Sequence, residues 1–124
     1  MGTLTYATVG SNQLTAAKIF YDTLMAQVGL KPILEHPSGG RLYGRRGQPQ
    51  FGVLGPFNGQ PATVGNGSMF AFCLDSRAEV EAFHAKVLEL GGTCEGAPGV
   101  RGPEWYFCYT RDLDGNKLCA YFMG

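Results

Sequence analysis

Apolar and polar positions along the chain fall into a short order of elements that occurs twice. LTYATVG (4–10) is rich in β-branched and aromatic residues and predicts a strand. Gly10-Ser11-Asn12 ends it, and Ser11 or Asn12 can cap the helix that follows. Leu14, Ala17, Tyr21, Leu24 and Val28 then recur at helical spacing, with Ile19 and Phe20 widening the stripe, and Gly29 stands where a helix ends. Three short extended segments come next, KPILEH (31–36), GRLYGR (40–45) and PQFGVLGP (49–56). FNGQPATVGNG (57–67) is a glycine-rich connector without the glycine spacing of a phosphate-binding loop.

SMFAFCLD (68–75) predicts the next strand and SRAEVEAFHAKVLELGG (76–92) the clearest helix. Ser76 and Glu79 form a capping box there, and Val80, Phe83, Val87 and Leu90 make its apolar stripe. TCEG starts another extended piece, and APGVRGP (97–103) reads as a loop. EWYFCYTRD and NKLCAYFM then form a hairpin around Gly115. Asn12 and Ser76, Gly29 and Gly91, and Gly47 and Gly115 occupy corresponding places in the two halves. The repeat is one of element order rather than residue identity. Two βαβββ units, about 1–60 and 61–124, predict a single α+β domain.

Composition narrows the setting. A chain of 124 residues with 44% apolar and 16% charged content is long enough for one packed core. Ten basic and ten acidic residues cancel, which argues against nucleic acid or an anionic membrane as partner. Arg41, Arg45 and Arg46 read as a solvated loop cluster. No membrane span or signal segment is visible, and Tyr6 stands where a myristoylation signal needs Ser or Thr, so a cytoplasmic protein is expected. Cys73, Cys94, Cys108 and Cys119 show no metal or redox spacing and are expected as free thiols.

Three strings carry a resemblance: AAKIFYDTLMAQVGLK, GNGSMFAFCLDSRAEVEAFHAKVLELGG and YFCYTRDLDGNKLCAY. With the element order, they make the chain resemble the vicinal oxygen chelate superfamily of glyoxalase I, bleomycin-resistance proteins and ring-cleaving dioxygenases. The resemblance implies that two βαβββ units form one cupped mixed sheet around a divalent metal held by His, Glu or Gln. It places those ligand positions on Tyr6, Met69 and Cys119, and near Phe51 with Gln50 beside it. None is His or Glu, so no metal and no cofactor are expected.

Strand parity puts Phe70, Phe72, Leu74, Leu118, Ala120 and Phe122 under the helices, and Met69, Ala71, Cys73, Cys119, Tyr121 and Met123 in the cup. A bulge at Gly115 would set Cys119 opposite Tyr109 and turn Trp105, Phe107 and Tyr109 into the cup; without it Cys119 would face Cys108. Asp-Gly at this spacing favours the bulge. Tyr6, Thr8 and Tyr109 would add hydroxyls. Arg101, between two glycines, could clamp an anionic ligand. His36 and His84 read as structural, and no catalytic residue is assigned. Three readings follow: a metal-free binder of a small apolar or aromatic molecule, a glyoxalase- or dioxygenase-type enzyme with displaced ligands, and an interaction module with a filled cup. A homodimer is expected from the open strand edges.

Overall fold

The computed structural model describes residues 1–124 and gives the order β1 (Tyr6–Gly10), α1 (Leu14–Gln27), β2 (Lys31–Glu35), β3 (Arg41–Gly44), β4 (Gln50–Leu54), β5 (Phe70–Cys73), α2 (Arg77–Glu89), β6 (Thr93–Gly102), β7 (Trp105–Arg111) and β8 (Lys117–Met123). This is the α+β, twice-βαβββ architecture expected from the sequence. The strands form two four-stranded mixed sheets, ordered β1-β4-β3-β2 and β5-β8-β7-β6, each with one parallel pair, β1 with β4 and β5 with β8. The chain divides into two compact units, Met1–Thr63 and Val64–Gly124.

In unit 1, α1 buries Ala17, Phe20, Tyr21, Leu24 and Met25. Tyr21 packs on Phe51 of β4, with ring centroids 5.1 Å apart, and lies 6.4 Å from Tyr43 of β3. Ile19 falls outside this stripe and is 64% exposed, because the sheet covers only one side of the helix. The predicted cap also moves. Gln13 is the N-cap residue, without a side-chain capping bond, while Ser11 Oγ accepts from the Gln13 N–H at 3.0 Å. Asn12 instead ties the strand end to the connector, donating to the Ala62 carbonyl at 2.9 Å and accepting from the Ala62 N–H at 2.6 Å.

Arg41 is no solvated loop residue. It opens β3 and pairs with both Glu35 and Asp22, and its Nη1 lies 2.8 Å from the Asp22 carboxylate. Tyr43, fully buried, donates its hydroxyl to the same carboxylate at 2.6 Å. Asp22 therefore satisfies a buried phenol and a guanidinium together. Asp22→Asn leaves one acceptor oxygen for both and turns an N–H donor toward one of them. A loss of about 1–2 kcal/mol is expected in denaturant unfolding, with Tyr43→Phe costing less.

In unit 2 the capping box forms with one difference. Ser76 Oγ accepts from the Glu79 N–H at 3.1 Å, but Glu79 Oε2 reaches back to the Asp75 N–H, also at 3.1 Å. Val80, Phe83 and Val87 are buried, with Phe83 5.8 Å from Phe72 and the Cys108 thiol directed at the Val80 carbonyl. The segment 97–103, read from sequence as a loop, instead supplies six of the ten residues of β6, with Pro103 in the turn that follows. It pairs with β7 through three breaks in register, and Pro98, which lacks an N–H, falls inside one of them. Gly96, Gly99 and Gly102 stand opposite Tyr109, Phe107 and Trp105. A Cβ at Gly102 would lie 2.8 Å from the Trp105 ring and one at Gly96 3.0 Å from the Tyr109 ring. The glycines are there so that rings can lie across the strand.

The β7–β8 turn is built by Asp112. Its Oδ1 accepts from the N–H groups of Asp114 and Asn116, at 2.9 and 2.8 Å, and Gly115 takes φ +89°. That left-handed residue makes the bulge, and Tyr109 stands opposite Cys119, as the favoured register predicts.

Candidate ligand site

Alternation along β7 and β8 brings Trp105, Phe107 and Tyr109 to one face of the unit 2 sheet with Cys119 and Tyr121. Ala71 of β5 pairs beside Cys119, and Met69, 43% exposed, precedes that strand. Phe107 and Tyr121 stack with centroids 4.8 Å apart and planes 13° apart. Tyr109 continues the slab 6.2 Å from Phe107. Two cations hang over its ring: the Arg101 guanidinium at 5.8 Å and the Lys117 ammonium at 5.3 Å. Lys117 also lies 4.0 Å from Glu95, whereas Arg101 donates to the Ala97 carbonyl at 2.6 Å. The slab is thus flat and aromatic, half-buried along its middle, and positive at one end.

Cys119 lies in this face but is fully buried. Burial pushes its thiol up to about 12, with neighbouring Cys108 adding to the effect and Lys117 opposing it. Cys108, on the helix side, is pushed up to about 11 for the same first reason. The Cys73 thiol beside Tyr121 holds that phenol protonated above its ordinary range. At neutral pH the Cys119 thiol and the Tyr121 phenol therefore both keep their protons.

Of the residues predicted in unit 1, Tyr6 and Thr8 share one face of the sheet and Phe51 takes the other. Tyr6 and Thr8 are exposed on one face of β1, level with Gln50 and Gly52 of β4. Phe51 lies on the opposite face, packed against Tyr21 under α1, because its pairing partner is Ala7 rather than Tyr6. Phe51 is thus a core residue, and Gln50 shares the face of Tyr6.

This donor set does not fit a divalent metal. Phe51 has no donor atom and points into the core, Met69 offers only a thioether, and Cys119 would have to lose a proton from a buried site. No three His, Cys, Asp or Glu residues come together anywhere in the chain.

A concavity lies wholly in unit 1, a cleft of about 680 Å³ lined in part by Thr8, His36, Ser38, Phe57, Asn58 and Pro61. Ser38 Oγ accepts from the Gly55 N–H at 3.0 Å and lies 2.9 Å from His36 Nδ1. The Ser38 N–H also reaches Nδ1, at 3.1 Å, so that nitrogen is an acceptor and the ring proton sits on Nε2. Of the residues expected in the site only Thr8 reaches this cleft. Its polar groups come from a turn and a connector whose folding back is a tertiary matter, invisible in local sequence.

Neither the scan of protein-family models nor the search of curated proteins finds a match. Solved structures do match. A glyoxalase/bleomycin resistance protein from Albidiferax ferrireducens T118 is 42% identical over 97% of this chain and 98% of its own, with a TM-score of 0.86. A glyoxalase/bleomycin resistance protein/dioxygenase family enzyme from Burkholderia phytofirmans PsJN shares 18% identity over 99% of this chain and 100% of its own, with a TM-score of 0.76. A lactoylglutathione lyase from Agrobacterium tumefaciens shares 23% over 98% and 94%, with a TM-score of 0.70. The last two show a common fold only.

Proposed function

This chain belongs to the glyoxalase/bleomycin resistance protein family, and on that premise we propose that it is a cytoplasmic, homodimeric protein that binds a small aromatic molecule without a divalent metal. The observation that carries the reading is the unit 2 slab. Phe107 and Tyr121 offer a stacked aromatic surface, Arg101 and Lys117 put positive charge over Tyr109 at its end, and the Cys119 thiol and Tyr121 phenol are held protonated. Such a surface favours a planar ring with an acidic substituent. The departures at Tyr6, Phe51, Met69 and Cys119 weigh against the metal-dependent enzyme, and the half-exposed rings weigh against a filled module.

Support for the dimer comes from β2, an end strand whose five residues are all exposed, with Ile33 and Leu34 at 42% and 56%. An apolar edge of this kind is usually covered. The four free cysteines suit a reducing compartment, and no helix is long and apolar enough to cross a membrane.

Native mass spectrometry of protein taken directly from cells should give twice the 13.3 kDa chain mass and no stoichiometric metal. Titration with 2-naphthoate should change the emission of Trp105, the single tryptophan, which is 47% exposed at the slab's end. About one Zn, Ni, Mn or Fe per chain would restore the metalloenzyme reading. An unchanged Trp105 signal at millimolar probe would remove the slab as a binding surface.

A further inference from the structure

On the other face of the unit 2 sheet two side chains from different elements meet. His84 projects from α2, and Cys94 is the second residue of β6, where it pairs with Thr110 of β7. Cys94 Sγ lies 3.2 Å from His84 Nε2. The Gly91-Gly92 turn brings them together by folding β6 back along the helix.

We propose that His84 and Cys94 form a thiol–imidazole dyad that makes Cys94 the reactive thiol of this chain, a site of covalent addition to α,β-unsaturated carbonyl compounds. The contact is short enough for the Sγ–H to donate to Nε2 when the ring proton sits on Nδ1. Partial burial lowers the basicity of His84, the one cause of its shift, so the ring is neutral and free to accept at pH 7. The adjacent carboxylate, Glu95, is engaged by Arg111 through bonds of 3.0 and 2.7 Å. Cys94 itself is exposed, so an electrophile can reach the sulfur.

The step balances without a redox partner or leaving group. The thiol proton passes to Nε2 while the sulfur electron pair forms a bond to the β-carbon of the alkene. The displaced π pair becomes an enolate, and the imidazolium returns its proton to the α-carbon. The site is independent of the slab, since Cys94 sits on the α2 side of the sheet.

The other thiols supply internal controls. Cys108 and Cys119 are buried and held protonated, whereas Cys73 is exposed, with its Sγ beside the Tyr121 hydroxyl and 3.9 Å from the Leu74 carbonyl. The experiment is N-ethylmaleimide labelling of the full-length native protein at pH 7, quantified peptide by peptide. Cys94 should react at least about 10-fold faster than Cys73, a threshold set below the roughly 100- to 10,000-fold that general-base assistance supplies. His84→Gln should bring Cys94 down to the Cys73 rate and leave Cys73 unchanged, which also reports that the fold survives. Equal rates for Cys94 and Cys73 in the wild-type protein would overturn the dyad, a comparison that needs no variant. So would a Cys94 rate unaffected by His84→Gln.

Discussion

Cys119→Glu, which puts the family's usual ligand type back at this position, should melt far below the wild-type protein and gain no tight metal site. Cys119 is fully buried, and the same burial that pushes its thiol up to about 12 would act on a carboxyl group there. The nearest cation, Lys117, is held over the Tyr109 ring and within 4.0 Å of Glu95. A carboxylate without a partner in such a place costs several kcal/mol, roughly 3 or more, or takes up a proton. Cys119→Ala removes only one sulfur atom from the core and should cost about 1 kcal/mol.

The pH dependence separates charge burial from a simple misfit. A buried Glu has its folded-state pKa raised above the unfolded value of about 4.3. The folded state then holds its proton longer than the unfolded one, so stability falls as pH rises through the unfolded pKa and levels off above the folded one. The melting deficit of Cys119→Glu relative to Cys119→Ala should be small at pH 4 and large at pH 7. A deficit equal at both values would mean a steric cause. One bound zinc per chain in the Glu variant would show that the remaining ligand positions work after all.

How much of this could be seen in the sequence depends on how local each determinant is. The doubled element order, the Ser76 cap and the register at Gly115 were all readable, because each rests on residues within a few positions of one another. Asp112 bonding to the N–H groups of Asp114 and Asn116 is one such local device. The misreadings are tertiary. The run 97–103 has the glycine and proline content of a loop, but Gly102, with Gly96 just before the run, makes room for the Trp105 and Tyr109 rings of the neighbouring strand. Phe51 changes face because one residue of parallel register with β1 decides its side, and a short apolar run does not encode that register. Arg41 finds Asp22 nineteen positions away on α1. The His84–Cys94 contact and the unit 1 cleft were missed for the same reason. His36 and His84 read as structural in the sequence because nothing local shows what meets them.

The slab itself can be tested by removing its parts. Tyr121→Ala should weaken 2-naphthoate binding by about 10-fold or more, since one stacked aromatic contributes about 0.5–1.5 kcal/mol beyond its buried area. Tyr121→Phe should bind nearly as wild type, because the hydroxyl is engaged with Cys73 and the ring is what stacks on Phe107. Arg101→Ala tests the charged end. A hydrogen bond from a guanidinium to a carboxylate is worth about 1.5–3 kcal/mol, so the loss should again be 10-fold or more. That loss should vanish for 2-methylnaphthalene, which has the same ring system and no acid. Each variant changes a side chain at a half-buried or exposed position, and melting temperatures should stay within a few degrees of wild type. Trp105 emission reads all of these titrations. If Tyr121→Ala binds 2-naphthoate unchanged while its fold is intact, the probe sits elsewhere.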